Sequence, residues 1–257
     1  MEPVFNQLLG LLGAFWWPFC RAMAVFSAAP VLGENMTPVT VRILLSLVLA
    51  VILMPTAQTA VAIDPFSLHG IVATMEQALI GFVIGLAFHL TMSTIMVLGF
   101  IVSSQMGLAM AVMNDPMNGT SSDVISTMLY MMCILVFFSI DGHLVVTGVL
   151  AASFKAFPVG AGIAALSLKT LPLAIAWVFS AALLLAVPVV FSTIVVQFGA
   201  GLLNRVAPSL NLFSLGFAVV TVFGLFMLTQ VVRFVPEHYI RMTGQVLDLI
   251  HRGLKAA

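Results

Sequence analysis

Between Thr170 and Val232 the chain carries one charged side chain, Arg205. A helix that is apolar all round is either a core helix or a membrane span, and a run this long can supply more than one span. The rest of the chain agrees. Apolar residues make up 62% of its 257 residues and charged residues 7%, against roughly 25% charged in ordinary soluble domains. An integral membrane protein is expected. The formal net charge is zero, so nucleic acid is not implied as a partner. The first residues, Met1-Glu-Pro-Val, lack a basic leader region, and the first apolar stretch is expected to be mature structure. Cys20 and Cys133 both lie in apolar runs and are expected to be small buried hydrophobes.

Six apolar segments can be drawn: Val4 to Leu32, Ile43 to Ile63, Ile71 to Val102, Val124 to Ile140, Leu171 to Val196 and Leu212 to Val232. Most are interrupted by Pro, Gly or a lone charge: Pro18, Arg21 and Pro30 in the first, Pro55 in the second, Pro188 in the fifth. The piece from His143 to Phe154 is too short to cross alone and reads as re-entrant or interfacial. Irregular backbone survives at membrane depth only where protein or a water-filled cavity covers it. Such a chain is expected to pack against other subunits or line a pore. Gly81-Phe-Val-Ile-Gly85 offers a small-xxx-small surface for close helix contact.

Six spans would place Lys155, Lys169, Arg233, Arg241, Arg252 and Lys255 on one side, and Arg42 and Arg205 on the other. The positive-inside rule then puts the C-terminal tail in the cytoplasm. In that tail Arg241, Gln245, Asp248, Arg252 and Lys255 recur at helical spacing. Tyr239, Met242, Val246, Leu249 and Ile250 fall mainly opposite. The amphipathic helix this predicts lies either in the headgroup layer or against a partner.

Three groups of residues stand out. In the first, Met106, Met110, Met113 and Met117 are spaced 4, 3 and 4 apart, which makes one stripe if the stretch is helical, with Pro116 breaking the last turn. The stripe is either core filler or a deformable plug; the turn-forming run Asn114 to Ser122 that tethers it favours the plug. Second are Glu76 and His89, ionisable groups in an apolar segment and so candidates for a proton relay, although thirteen residues put them on different faces of a straight helix. Asp141 and His143 more simply end a helix at an interface. Third is the polar hinge around Arg205. Pro208 stops a helix there, and Asn211 and Ser214 can cap the next. An arginine in such surroundings snorkels, lines a wet cavity or meets a partner group.

No HExxH, GxSxG, Walker A or CxxC motif occurs, and the five histidines have no metal-ligand spacing. Neither an enzyme nor a metal or other cofactor is expected. An ion-coupled secondary transporter is the competing class, drawn from Glu76, His89 and the broken helices. No internal repeat accompanies it.

The stretch Gly201-Leu-Leu-Asn-Arg-Val-Ala-Pro-Ser-Leu-Asn-Leu-Phe-Ser-Leu-Gly-Phe217 resembles the signature of the FliR family, the R subunit of the flagellar type III export gate, which has relatives in virulence secretion. Phe19-Cys-Arg21 through Ala29-Pro-Val-Leu-Gly33, with Pro38 and Arg42, resembles the family's opening. Gln105 to Pro116 resembles its central loop, and Gly142-His-Leu144 its next element. Ser209, Ala218 and Asp141 depart from the Gln, Pro and Asn usual in the family.

The resemblance implies an all-α polytopic membrane protein of kinked helical hairpins, a single export-gate domain over residues 1–257. A P-like part of about 1–170 would be fused to a Q-like part of about 171–257, within a closed helical assembly. It implies a pore plug made of Gly107, Leu108, Ala109, Met110, Ala111, Val112, Met113, Asn114, Asp115, Pro116, Met117 and Asn118. A subunit-contact hinge would contain Arg205, Pro208, Asn211 and Phe213. The implied partners are the P and Q subunits (FliP, FliQ), a B-type subunit (FlhB), membrane lipid and transient unfolded export substrates. The implied location is the bacterial inner membrane at the flagellar basal body.

Overall fold

Prolines and glycines decide where the first helices end, though not every proline does so. The computed structural model describes residues 2–33, 37–57, 63–108, 113–115, 120–160, 170–206 and 212–256. The side chains of 2–9, 11–13, 113–115, 120–122, 170–175, 212–215 and 251–256 are outside the description. Eight helices occur among the described residues: α1 (Glu2–Ala28), α2 (Val39–Leu53), α3 (Leu68–Gln105), α4 (Val124–Ser139), α5 (Gly142–Ala156), α6 (Thr170–Val206), α7 (Leu212–Val232) and α8 (Val235–Ala256). Two short strands, β1 (Met113–Asp115) and β2 (Thr120–Ser122), lie between α3 and α4. The chain is a helical, polytopic membrane protein.

The interruption expected at Pro18 does not occur, because α1 runs through it to Ala28. A proline costs one backbone bond and a local kink, which neighbouring helices make tolerable in an apolar setting. α6 likewise contains Pro188. α1 does end before Pro30, in a tight turn where the Gly33 amide donates to the Ala29 carbonyl at 2.8 Å. A Cβ on Gly33 would meet the Ser27 and Ala29 carbonyl oxygens at 2.6 and 2.7 Å, so only glycine fits. Thr37 Oγ1 donates to the Leu32 carbonyl at 2.6 Å and Arg42 Nη2 to the Thr37 carbonyl at 3.1 Å, which ties the turn to α2.

The second apolar segment is shorter than drawn. α2 stops at Leu53, just before Pro55. Its 15 residues extend about 22 Å at 1.5 Å per residue, short of the ~30 Å hydrocarbon core. Among the described residues, α3 and Ala176–Val206 of α6 are long and apolar enough to cross a membrane. The pairs α4–α5, bent by 67°, and α7–α8, bent by 51°, each form either a broken span or a re-entrant loop. The short piece that reads as re-entrant in the sequence, His143 to Phe154, lies in α5, the second helix of the first pair. Asp141 makes the bend of that pair by adopting φ 55, a left-handed conformation that Asp and Asn visit more easily than most residues.

The chain divides into two compact units. Unit 1 comprises Met1–His89, Phe137–Thr170 and Thr243–Ala257. In it α1 lies close on the first half of α3. A Cβ on Gly81 would strike the Arg21 carbonyl, and one on Gly85 would meet Ala28 Cβ at 2.9 Å. The small-xxx-small surface is therefore used within the chain. Trp16 Nε1 donates to Thr74 Oγ1 at 3.0 Å, and Trp17, Ala73 and Val159 form a buried cluster.

Unit 2 comprises Leu90–Val136 and Leu171–Met242. Here Met92, Ile95, Leu98, Val102 and Met106 are fully buried along one helical face that continues just past the end of α3. Gly99 admits α4, since a Cβ there would meet the Ser126 amide nitrogen at 2.8 Å. Among its described side chains α6 buries only a narrow stripe, Val178, Ala182, Ala186, Val189 and Thr193. Phe179, Leu184, Phe191 and Phe198 stand exposed around it, as expected of a helix facing lipid or another subunit.

Candidate functional site: the α3–α4 loop and its footing

The central loop leaves α3 through a glycine turn, not a continued helix. α3 ends at Gln105. The Gly107 amide donates to the Ser104 carbonyl at 3.1 Å, and Gly107 takes φ 74, the left-handed conformation that commonly terminates helices. Met106 is fully buried just past α3 and Met113 begins β1, so these two do not lie on one helix; Met110 and Met117 lie outside the described residues. β1 and β2 pair antiparallel, with Met113 opposite Ser122, Asn114 opposite Ser121 and Asp115 opposite Thr120. The turn-forming run thus returns the chain on itself. Of the expected plug residues, Gly107 is exposed and Leu108 half-buried, and Met113, Asn114 and Asp115 are described by backbone alone. Ala109, Met110, Ala111, Val112, Pro116, Met117 and Asn118 lie outside the described residues.

The returning end of the loop is fixed by Asp123, a residue the sequence reading missed. It is 8% exposed, yet its carboxylate is well satisfied. Ser103 Oγ of α3 donates to Oδ1; the Ser126 amide and hydroxyl donate to Oδ2 at 2.8 and 2.7 Å. The amide contact caps the N-terminus of α4, where a negative charge also favours the helix dipole. The Ser103 contact ties that cap to α3. The available signal was an Asp three residues before a Ser at the start of an apolar run, a variant of the capping pattern.

The outgoing end rests on the α6–α7 hairpin of the same unit. Thr221 Oγ1 donates to the Met106 carbonyl at 2.9 Å, and Gln197 Nε2 to the Gln105 carbonyl at 3.3 Å. The Phe217 ring lies against Gly107, where a Cβ would meet its Cδ2 at 3.1 Å. A cleft of about 630 Å³ opens beside this contact, lined by Ser104, Gln105, Gln197, Asn204, Gly201 and Phe217 among others. The hinge expected from sequence begins at its edge. Arg205 is exposed in the last turn of α6. Pro208 and Asn211 lie outside the described residues, and Phe213 is described by backbone alone. Phe217, the last residue of the same signature stretch, contacts the loop at Gly107.

A second polar centre lies in unit 1, around Arg21. It is 0% exposed. Its Nε donates to Gln77 Oε1 at 2.8 Å and Nη2 donates to the same oxygen; Nη1 donates to Ser153 Oγ at 3.0 Å, and Nη2 also to the Phe157 carbonyl at 2.7 Å. The guanidinium sits 3.9 Å from the Phe154 ring centroid, a cation–π contact. One side chain therefore links α1, α3 and the end of α5. Glu76 precedes Gln77 on α3 and is buried; its Oε1 has no hydrogen-bond partner among the described residues. Glu76 and the half-buried His89 do not meet, being about 20 Å apart along α3 at 1.5 Å per residue.

In α8 Arg241, Gln245 and Asp248 are exposed, and Tyr239, Met242 and Val246 are buried. Leu249 departs from the expected apolar face and is 64% exposed. Cys133 is buried and Cys20 half-buried. No group of three or more His, Cys, Asp or Glu suited to a metal occurs among the described residues.

Helices of this apolarity, bent at two places and joined by a loop held at both ends, define a membrane protein whose irregular segment is positioned by its helices. Residues 12–246 match the family described as Bacterial export proteins, family 1, and the chain belongs to that family. It is 32% identical over 253 residues to "Flagellar biosynthetic protein FliR" of Pectobacterium carotovorum subsp. carotovorum, covering 96% of this chain and 95% of that protein. The protein of the same description in Escherichia coli (strain K12) is 26% identical over 251 residues, 97% and 96% of the two chains. "Yop proteins translocation protein T" of Yersinia pestis is 30% identical over 212 residues, covering 77% and 78%.

Proposed function

We propose that the chain is a non-enzymatic core subunit of the flagellar type III protein export gate. In this reading it sits in the bacterial inner membrane at the flagellar basal body. It forms a channel for unfolded proteins together with P and Q subunits (FliP, FliQ) and meets a B-type subunit (FlhB). Its P-like part covers about 1–170 and its Q-like part about 171–257. The loop Gly107 to Asn118 is the plug, and Arg205 with the segment to Phe213 meets a neighbouring subunit. Family membership and the names of the relatives support the export role.

The observation that carries the plug is the loop's footing. Its ends are fixed to helices by Asp123 on one side and by Gly107 with Thr221 on the other. The first part of the segment between them, Leu108 to Met113, is made of Leu, Ala, Met and Val alone. A constriction of such residues stops ions by excluding water and needs no charged gate. Methionine side chains deform around irregular surfaces, which lets an unfolded chain displace them.

The test is a photo-crosslinking residue at Leu108 or Met113 in cells that carry a stalled export substrate, with Ile52, exposed on α2, as control. Crosslinks to substrate are expected from the loop positions and not from Ile52. Assembled gates that give no loop crosslink would sink the reading.

A further inference from the structure

We propose that Gln197, Phe217 and Thr221 form a clasp that holds the root of the α3–α4 loop and thereby sets how tightly the idle gate is closed. The inference rests on the plug reading above and names residues that position the plug without belonging to it.

The last carbonyls of any helix lack partners within it and take them from water, a glycine turn or side chains. At the end of α3 two of these acceptors, on Gln105 and Met106, are taken by side chains of the α6–α7 hairpin. Thr221 is unusual in doing this. Thr74, Thr94 and Thr193 bond carbonyls of their own helices, at Gly70, Leu90 and Val189, the ordinary resort of a hydroxyl in an apolar helix. Thr221 instead bonds the Met106 carbonyl, which is where the loop departs. Phe217, Thr221 and Gly224 are spaced 4 and 3 apart and share one face of α7. All three bear on the root. Phe217 covers Gly107, Thr221 bonds Met106, and a Cβ at Gly224 would meet Met106 Sδ at 3.2 Å. A helix face used this way fixes the direction in which the loop leaves α3.

The contacts are also of a kind that opens. Both hydrogen bonds are between neutral groups and so are of modest strength. Gln197 is exposed and borders the cleft, so water can replace its bond without unpacking α7. Gly107 admits a change of backbone direction at little steric cost. A substrate pushing on the loop would therefore break the clasp at the root while the charged Asp123 footing on the other side holds.

The experiment uses the complete gate in cells. Thr221→Val with Gln197→Leu removes both donors while nearly keeping shape. Two readouts are taken: co-purification of the partner subunits, and entry of ions or small solutes with export idle. The double variant is expected to assemble at the wild-type level and leak roughly thirtyfold more, the population shift that follows loss of two neutral hydrogen bonds. A gate lacking Leu108 to Met113 should leak more still. Thr221→Ser, which keeps the hydroxyl, should stay tight. Should the double variant assemble poorly, Gln197→Leu alone, at an exposed position, carries the test and is expected to leak. An assembled, tight clasp variant beside a leaking deletion overturns the clasp and leaves the plug standing. If the deletion is tight as well, the plug reading falls and takes the clasp with it.

Discussion

Arg21 and Arg205 each interrupt an otherwise apolar helix, and the chain treats them differently. Arg21 is buried, with four hydrogen bonds and an aromatic face around its guanidinium. Its partners come from α3, from α5 and from the residue just beyond α5. Arg205 is exposed at the end of α6, beside the segment that joins it to α7. A cation in apolar surroundings needs acceptors from somewhere. The first finds them within its own chain and serves the fold. The second is left exposed, and in the proposed function it serves assembly.

That contrast is broken most severely at Arg21. Arg21→Ala leaves Gln77 Oε1 and the Phe157 carbonyl without their donor and empties a buried site. The cost should be on the order of 3–5 kcal/mol. The chain is expected to be degraded even when P and Q subunits are co-expressed, as pulse–chase labelling would show. Arg21→Lys should recover only part of the loss, because an ammonium cannot reproduce the planar fork of donors. Next in size is Gly81→Ala. Its methyl would strike the Arg21 carbonyl and force α1 off α3, at about 1–3 kcal/mol, read as a lowered melting temperature of the purified gate.

Arg205→Ala should behave in the opposite way. The chain's own stability should change by no more than about 0.5 kcal/mol, as for other exposed positions, while recovery of the P and Q subunits with it falls. Equal loss of the chain itself would erase the distinction between the two arginines. The smallest effect is expected at Asp141. Asp141→Asn should be neutral to within about 0.5 kcal/mol, since either residue accepts the left-handed conformation found there. A marked drop in melting temperature would mean that the carboxylate itself matters.

Apolar segments and their breakers were readable in the sequence because they depend on local composition. The stop before Pro30, the short α2 before Pro55 and the bend at Asp141 all follow from residues at those positions. Pro18 and Pro188 misled, because the penalty for a proline depends on what surrounds the helix, which composition does not state. The methionine spacing did not reveal that Gly107 turns the chain just past Met106 or that Met113 begins a strand. The two polar centres were hidden by distance along the chain. Arg21 meets Ser153 and Phe157, and Thr221 meets Met106, across more than a hundred residues. Asp123 was closer to legible, as a helix cap, but its bond to Ser103 was not.

The central claim is that residues of the α3–α4 loop close the channel. The most direct measurement is the conductance of the purified gate in a planar bilayer, with and without Leu108 to Met113. The intact gate is predicted to stay closed, and the deleted gate, assembled with its full set of subunits, to pass ions continuously. A deleted gate that assembles normally and remains as tight as the intact one would contradict the account.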